Sequence, residues 1–87
     1  MQLKQTDTYE KWMNKLEDWH AQARIGARML RLAEGYPCDS KKLPDDEVYE
    51  MRIDYEQGYR IYYTIEEPDI ILHLVTEIKE HHKKSEN

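Results

Sequence analysis

The sequence predicts an α+β fold in which two N-terminal helices pack on one face of a small antiparallel β-sheet. Three observations lead to this prediction: a helical period of apolar residues in the first third of the chain, an alternating pattern on both sides of a glycine turn within residues 48–63, and a nearly continuous apolar run at residues 70–75. The expected order is strand, helix, helix and three strands, followed by a short C-terminal tail or helix. We expect one domain covering residues 1–87.

The first strand and the first helix are predicted from residues 1–19. Polar and apolar residues alternate around Leu3, which indicates a short strand. From Thr8 onward the apolar residues recur every three or four positions, the period of a helix that buries one face. These residues are Tyr9, Trp12, Met13, Leu16 and Trp19. Thr8 or Thr6 is available to cap the first turn.

A second helix is predicted to bury the stripe Ala21, Ile25, Met29 and Leu32. It should end at Glu34 and Gly35, because glycine readily adopts the left-handed conformation that follows many helices and Pro37 prevents continuation. The two helices should form an antiparallel hairpin that turns near residues 18–22.

Residues 36–47 form a predicted polar connection, rich in Pro, Lys and Asp, that leads into a β-hairpin. Residues 56–58 should be its three-residue turn, with Tyr55 opposite Tyr59. That register pairs Ile53 with Ile61 and Met51 with Tyr63 on a core face, and Arg52 with Tyr62 and Asp54 with Arg60 on the other face.

The last predicted strand covers residues 70–75, after a turn at residues 66–69. Its apolar character suits a central position in the sheet. Residues 76–87 are charged and form either a short helix or a frayed tail.

Composition and charge limit the possible functions. The net charge of −5 argues against a generic nucleic-acid binder, which needs Lys and Arg for phosphate contacts. Cys38 is the single cysteine, so an internal disulfide is impossible and a reducing cytoplasm is expected. The chain begins without the apolar segment of a signal peptide and contains no apolar run long enough to cross a bilayer, so we expect a soluble protein without membrane contact.

Motifs for nucleotide and metal chemistry are missing from the sequence. It contains no GxGxxG, GxxxxGK[ST], HExxH or CxxC pattern. Adjacent His81 and His82 point apart in regular structure and have no carboxylate or thiol at a recognised ligand spacing. We therefore expect neither a cofactor nor a metal, and Cys38 is expected to be a surface thiol.

Arg52, Arg60 and Tyr62 on the outer face of the hairpin are the best candidates for chemistry. Two guanidinium groups can neutralise a phosphate and stabilise the additional charge of a pentacoordinate transition state. The alternative is an ordinary solvated surface, in which Arg60 pairs with Asp54 and Arg52 stacks on Tyr62.

Two further groups of side chains are candidates. His73, His81 and His82 could supply a general acid or base near neutral pH, and lysines such as Lys79 accompany them. On the second helix, the spacing of Arg24, Arg28 and Arg31 places them on one face. A protein partner, an RNA backbone or internal carboxylates could each neutralise these arginines.

Residues 22–75 resemble toxins of bacterial type II toxin–antitoxin modules. The pattern ARI-AR-RL-EG in residues 23–35 and the pattern ExRIDYxxGYRxYY in residues 50–63 carry the resemblance, which extends over roughly residues 8–75. Within the RelE/ParE superfamily, the sequence is most similar to the HigB-like, phage-derived addiction-module killer proteins. That family has two N-terminal helices packed on an antiparallel sheet.

The resemblance implies a metal-independent endoribonuclease that cuts mRNA in the ribosome and is neutralised by a cognate antitoxin, such as a helix-turn-helix protein. It implies catalytic roles for Arg60, Arg52 and Tyr62, with Arg60 stabilising the transition state. The antitoxin is expected to cover the sheet face and the stripe of Arg24, Arg28 and Arg31, giving a toxin–antitoxin hetero-oligomer. A ParE-like inhibitor of DNA gyrase and a non-catalytic antitoxin-binding relative are the alternatives.

The sequence departs from this family after the last strand. Family members usually have a Gly-Gly-Asp-Lys-Ser-[ST]-Gln segment there, whereas residues 76–82 read TEIKEHH. Lys79 matches the family lysine, but the glycines are absent and two glutamates flank the position. A weakened toxin, a member with a different substrate, and an enzyme that uses His81 or His82 in place of the lost groups remain open.

Overall fold

The computed structural model describes residues 1–78, which form two helices and one five-stranded sheet. The elements are β1 (Gln2–Gln5), α1 (Asp7–Lys15), α2 (Trp19–Ala33), β2 (Ser40–Lys42), β3 (Tyr49–Ile53), β4 (Tyr59–Glu66) and β5 (Asp69–Glu77). The strand order is β1-β5-β4-β3-β2, and the helices share a core with one face of the sheet. This confirms the predicted α+β class. Neither helix has the length and hydrophobicity needed to span a bilayer.

One pair of neighbouring strands differs in direction from the prediction. β1 runs parallel to β5, whereas all other neighbouring strands are antiparallel. A parallel pair needs a long crossover between its strands, and here the chain passes through both helices and three strands before it returns to β1. The sheet is therefore mixed.

Helix α1 begins after Thr6, whose hydroxyl makes two hydrogen bonds. Oγ1 of Thr6 accepts from the backbone N–H of Tyr9 at 3.2 Å and donates to the carbonyl of His73 at 2.9 Å. Thr8, the other predicted cap, lies inside the helix. Thr6 therefore both caps the helix and fixes its start to β5.

Helix α2 begins after Asp18, whose Oδ1 accepts from the backbone N–H groups of His20 and Ala21 at 3.0 and 3.2 Å. The prediction for Trp19 was wrong, because Trp19 is the first residue of α2 and its exposed fraction is 68%. The turn between the helices lies at residues 16–18, and the helical period restarts after it.

The end of α2 agrees with the prediction. Gly35 has a φ of +87°, and the N–H groups of Gly35 and Tyr36 donate to the carbonyls of Leu32 and Arg31. These two bonds form a Schellman motif, which satisfies carbonyls at the helix end.

The hairpin forms as predicted, but its register differs by two residues. Ile53 pairs with Tyr59 and Met51 with Ile61, so the connection covers residues 54–58 rather than 56–58. A shift of two residues keeps every side chain on its predicted face but changes its neighbour. The predicted pairs Arg52–Tyr62 and Asp54–Arg60 are therefore wrong.

The predicted polar connection at residues 36–47 contains a short strand, β2, at the edge of the sheet. Its residues Ser-Lys-Lys have no apolar alternation, and the strand forms by backbone pairing with β3. Strand β5 has the predicted inner position between β1 and β4, with Ile70, Leu72 and Val75 buried.

Candidate anion-binding site on the open face of the sheet

Two rows of side chains cross the face of the sheet that is turned away from the helices, here called the open face. The first row crosses the β3–β4–β5 ladder as Arg52, Arg60 and Thr76, and Asp39 joins it because the Arg52 N–H donates to the Asp39 carbonyl at 3.0 Å. The second row, two residues along the strands, contains Lys41, Glu50, Tyr62 and Leu74. Alternation along β3, β4 and β5 places their residues on the open face, because Met51, Ile61 and Val75 between them are in the core. Lys41 lies on the same face because it pairs with Glu50.

Arg52 and Arg60 are directly opposite one another in the β3–β4 ladder. Opposed residues of an antiparallel pair have Cα atoms about 4.5–5.5 Å apart, so both guanidinium groups can reach one small anion. Arg52 is exposed, and the side chain of Arg60 is 29% exposed. Like charges at opposed positions repel one another, which makes a nearby negative charge favourable.

Glu50 supplies one such charge from within the protein. Its Oε2 accepts a hydrogen bond from the Tyr62 hydroxyl at 3.1 Å and lies 3.6 Å from Nε of Arg60. Glu50 is the one charged residue buried in residues 1–78, with an exposed fraction of 9%. The carboxylate therefore orients both Arg60 and Tyr62 while neutralising part of the positive charge.

A cleft of about 400 Å³ lies beside these residues on the open face. Its lining residues are Asp39, Lys41, Glu50, Arg52, Ile53, Asp54 and Ile78. In residues 1–78, neither Arg52 nor Lys41 has a carboxylate oxygen within 4 Å. The cleft thus presents two cations, Arg52 and Lys41, beside the carboxylates of Asp39, Glu50 and Asp54, and its volume is large enough for a phosphate group.

The structure brings Arg52, Arg60 and Tyr62 together on one face, as the sequence predicted, although Tyr62 lies opposite Glu50 instead of Arg52. Lys79, His81 and His82 lie outside the described residues. Ile78, the last described residue, lines the cleft and donates its N–H to the Gly58 carbonyl at 3.0 Å.

His73 lies apart from the two arginines. Its Nε2 is 2.8 Å from Oγ1 of Thr64. Thr64 is four residues beyond Arg60 on β4, a distance of about 13 Å along a strand. His73 therefore lies among the contacts of β1, β4 and β5, away from Arg52 and Arg60.

The three arginines of α2 are all exposed. Cζ of Arg24 lies 4.7 Å from the ring centre of Tyr55, and Cζ of Arg31 lies 5.5 Å from that of Tyr36. No carboxylate in residues 1–78 is within 4 Å of Arg24, Arg28 or Arg31. Internal carboxylates therefore do not neutralise them within this part of the chain.

Sequence reasoning missed Glu50 and Lys41. Glu50 has the same strand parity as Arg52, which was a usable signal, but the predicted register placed Tyr62 opposite Arg52 and left Glu50 without a role. Lys41 was missed because the sequence predicts a polar connection, and not a strand, at the residues that form β2. Among residues 1–78, no group of three or more His, Cys, Asp or Glu side chains is arranged to hold a metal ion.

Comparisons with solved structures identify the fold. The isolated RelE toxin of Escherichia coli superposes with a TM-score of 0.78 at 17% identity, covering 98% of this chain and 92% of RelE. The chain has the RelE fold. The intact E. coli RelBE toxin–antitoxin complex gives a TM-score of 0.74 at 16% identity, covering 91% of this chain and 98% of the matched chain. A conserved hypothetical protein from Helicobacter pylori gives 0.55 at 16% identity, covering 88% of this chain and 93% of that one.

Sequence comparison finds a relative of this chain. An uncharacterised protein of Haemophilus influenzae is 44% identical over 62 residues, which is 71% of this chain and 62% of that protein. The chain therefore spans less than two thirds of the length of this relative. No family model matches the chain.

Proposed function

We propose that this chain is the toxin of a type II toxin–antitoxin module and cleaves ribosome-bound mRNA without a metal. The observation that carries the proposal is the direct opposition of Arg52 and Arg60 on the open face of a RelE fold. Two adjacent guanidinium groups are suited to a phosphodiester, because each presents several N–H donors in a planar fork.

The proposed reaction is an internal transfer within the RNA. The 2′-oxygen forms a bond to the adjacent phosphorus as the bond to the 5′-oxygen breaks, giving a 2′,3′-cyclic phosphate and a 5′-hydroxyl. A base accepts the 2′-OH proton, and an acid protonates the departing 5′-oxygen. Arg60 and Arg52 stabilise the extra negative charge on the phosphate.

Further residues have proposed supporting roles. Glu50 fixes the direction of the Arg60 guanidinium group and of the Tyr62 hydroxyl. We assign phosphate contact or proton transfer to Tyr62, Lys79 and His81, and binding of RNA or a partner to His82. Lys79 and both histidines follow Ile78, which lines the cleft.

A cognate antitoxin, of the helix-turn-helix type, is the proposed protein partner. RelE itself is found in a toxin–antitoxin complex, and this chain shares its fold. The antitoxin would inhibit cleavage by covering the open face, where its acidic groups can pair with Arg52 and Lys41. Action on translating mRNA places the protein in the bacterial cytoplasm.

The contacts of Glu50 favour a second candidate function, that of a non-catalytic relative that binds an antitoxin. The carboxylate contacts Arg60 and Tyr62 at once, which lowers the affinity of the pair for a phosphate. In this case expression causes no growth arrest, whereas the antitoxin still binds tightly.

Growth arrest on expression, together with cleavage of mRNA on purified ribosomes in the presence of a chelator, tests the proposal. Arg60→Ala and Arg52→Ala should each lower the cleavage rate by about 100-fold, the usual effect of removing one group that stabilises a transition-state charge. Lys42→Ala is the matched control, since Lys42 is exposed on β2 but has the opposite strand parity to Lys41 and does not line the cleft.

Thermal unfolding should show that these variants stay folded, with a larger decrease in melting temperature for Arg60→Ala than for Arg52→Ala, because Arg60 contacts the buried carboxylate of Glu50. Full growth arrest by Arg60→Ala would contradict the proposal. Inhibition of gyrase supercoiling by the purified protein, with ribosome-bound mRNA left intact, would instead support the ParE-like alternative.

A further inference from the structure

A bulge in β5 brings the side chain of His73 to the open face. The β4–β5 register pairs Tyr62 with Leu74, and the following residue of β4 pairs with Leu72. His73 is therefore the extra residue of a β-bulge. Its Nε2 lies 2.8 Å from Oγ1 of Thr64, which has the same strand parity as Tyr62 and therefore points to the open face. His73 and Leu74 consequently lie on the same face, although they are adjacent in the chain.

Two hydrogen bonds from Thr6 hold the bulge in place. The Thr6 hydroxyl donates to the His73 carbonyl at 2.9 Å, and the Thr6 backbone N–H donates to the Leu72 carbonyl at 3.0 Å. The same hydroxyl caps α1. The imidazole is held in turn by its contact with Thr64, so its position is fixed before any ligand binds.

An apolar strip crosses the open face beside the bulge. Its members are Tyr62, Leu74 and Ile71, of which Leu74 is 39% exposed and the other two are half-buried. The strip extends from the row next to Arg60 to Thr64, which is four residues or about 13 Å beyond Arg60 along β4. A partly exposed apolar surface on a sheet suits the flat face of a nucleobase, because every base has such a face.

The charges at the two ends of the strip have opposite sign. Arg52 and Arg60, here called the arginine pair, lie at one end. At the other end, Glu66 lies opposite Asp69 in the last pair of the β4–β5 ladder. Lys4 neutralises part of this negative charge through a contact of 3.5 Å with Asp69. A nucleotide on the strip should therefore have its phosphate at the arginine pair and its base towards the acidic end.

We propose that the apolar strip, together with His73 and Thr64, binds the base of a ribonucleotide whose phosphate lies at the arginine pair. The base packs on Leu74 and its apolar neighbours, and its polar edge meets the imidazole and the hydroxyl, each of which can donate or accept a hydrogen bond. The proposal rests on the proposed function for the identification of the ligand as RNA. It gives His73 a role in selecting the base beside the cleaved phosphate, and not in proton transfer.

A nucleotide matches the strip and the cations at the same time. Its phosphate and its base are joined through one ribose, so one unit reaches both ends. A second copy of the chain would cover the apolar strip but would bring another arginine pair towards the first unless the copy were rotated to present its acidic end. A free phosphate would use the cations and leave the strip exposed.

The test uses the full chain and two dinucleotides that share one phosphodiester and cannot be cut, because their 2′-oxygens are methylated. One is ApA, and the other has the same sugars without bases. Titration followed by nuclear magnetic resonance should give a dissociation constant about fivefold or more lower for ApA, the lower end of the effect of stacking one base. The imidazole signals of His73 should shift with ApA and not with the abasic dinucleotide.

Two changes at equally exposed apolar residues form a matched pair. Leu74→Ser should raise the dissociation constant for ApA to near that of the abasic dinucleotide, because it removes the exposed centre of the strip. Ile65→Ser is the control, since Ile65 is 41% exposed on β4 but has the opposite strand parity to Thr64. This change should leave both dissociation constants as they are.

Changes at the two ends of the strip separate the base from the phosphate. His73→Ala should weaken binding of ApA by about fivefold and leave binding of the abasic dinucleotide unchanged. Arg52→Ala should weaken both dinucleotides by the same factor, since both carry the phosphate. On ribosome-bound mRNA, His73→Ala should change which bases flank the cleaved bonds, whereas a loss of stability would slow cleavage at all sites alike. Thermal unfolding checks that each variant is folded.

Several outcomes would overturn the inference. Equal affinity for the two dinucleotides, no binding of ApA at about millimolar concentration, or equal effects of Leu74→Ser and Ile65→Ser would each do so. Self-association abolished by Leu74→Ser would also overturn it and assign the strip to a second copy. Cleavage of mRNA with unchanged base preference in His73→Ala would remove the base site and leave the proposed function standing. Binding of ApA through His73 by a chain that cuts no mRNA would have the reverse meaning.

Discussion

Arg52 and Arg60 are direct partners across the β3–β4 ladder, and the carboxylate of Glu50 contacts only one of them, Arg60. The two guanidinium groups therefore differ in their contacts and in their exposure. Arg60 is held by an internal carboxylate and is partly buried, whereas Arg52 is exposed and lines the cleft. We infer that Arg60 acts as a fixed group and that Arg52 is the first to meet an incoming anion.

Glu50→Gln should increase the affinity for RNA. The change removes the negative charge beside Arg60 but keeps an oxygen that can accept from the Tyr62 hydroxyl. We expect a several-fold lower dissociation constant for a single-stranded RNA in fluorescence anisotropy, with a steeper dependence on salt. Glu67→Gln, an exposed change in the β4–β5 turn, is the control for net charge. Equal effects of both changes would mean that only the total charge matters.

Ile25→Ala and Leu30→Ala should differ strongly in stability although both lie on α2. Ile25 is fully buried, so its truncation should lower the free energy of unfolding by about 2–5 kcal/mol. Leu30 is 62% exposed, and its truncation should change that free energy by about 0.5 kcal/mol or less. Urea unfolding measures both. A large loss at Leu30 would show that its side chain is already covered within the chain.

Thr6→Ala should lower the free energy of unfolding by about 1–2 kcal/mol, because it removes the cap of α1 and the hydrogen bond to the His73 carbonyl. Thr8→Ala is the matched control, since Thr8 is exposed within the first turn of the helix. Thermal unfolding of the two variants distinguishes them. A larger effect at Thr8 would contradict the assignment of Thr6 as the cap.

The stability of the protein should fall at high pH, in part through Tyr9. Burial raises the pKa of Tyr9 from 10.0 to about 12. Between these two values the unfolded chain loses the phenol proton and the folded chain keeps it, so the free energy of unfolding decreases as the pH rises. Burial also raises the pKa of Tyr59 and Tyr63, which act in the same direction.

Tyr9→Phe should make this decline shallower. Urea unfolding at pH 9 and at pH 11 (about one unit below and above the ordinary tyrosine value) measures the difference. The stability difference between these two conditions should be smaller in the variant than in the unaltered protein. An unchanged difference would mean that the Tyr9 phenol titrates alike in the folded and unfolded chains.

The sequence was sufficient for the α+β class, both helices, the hairpin and the side of the sheet on which Arg52, Arg60 and Tyr62 lie. These features depend on local periodicity, which repeats every 3.6 residues in a helix and every two in a strand. Trp19 was assigned to the wrong helix because its spacing continues the period of α1, although the Asp18 cap ends that period and starts a new helix.

Backbone pairing between distant segments decided the rest. Three features were decided in this way: the parallel contact of β1 with β5, the addition of β2 and the two-residue difference in the hairpin register. The side-chain pattern does not predict the register, because a shift of two residues keeps the same alternation. The alternation within the hairpin was enough to assign Arg52, Arg60 and Tyr62 to one face of the sheet. The position of Arg60 opposite Arg52 and beside Glu50 depends on strand pairing, since the hydrogen bonds that set strand register join backbone atoms that are present in every residue.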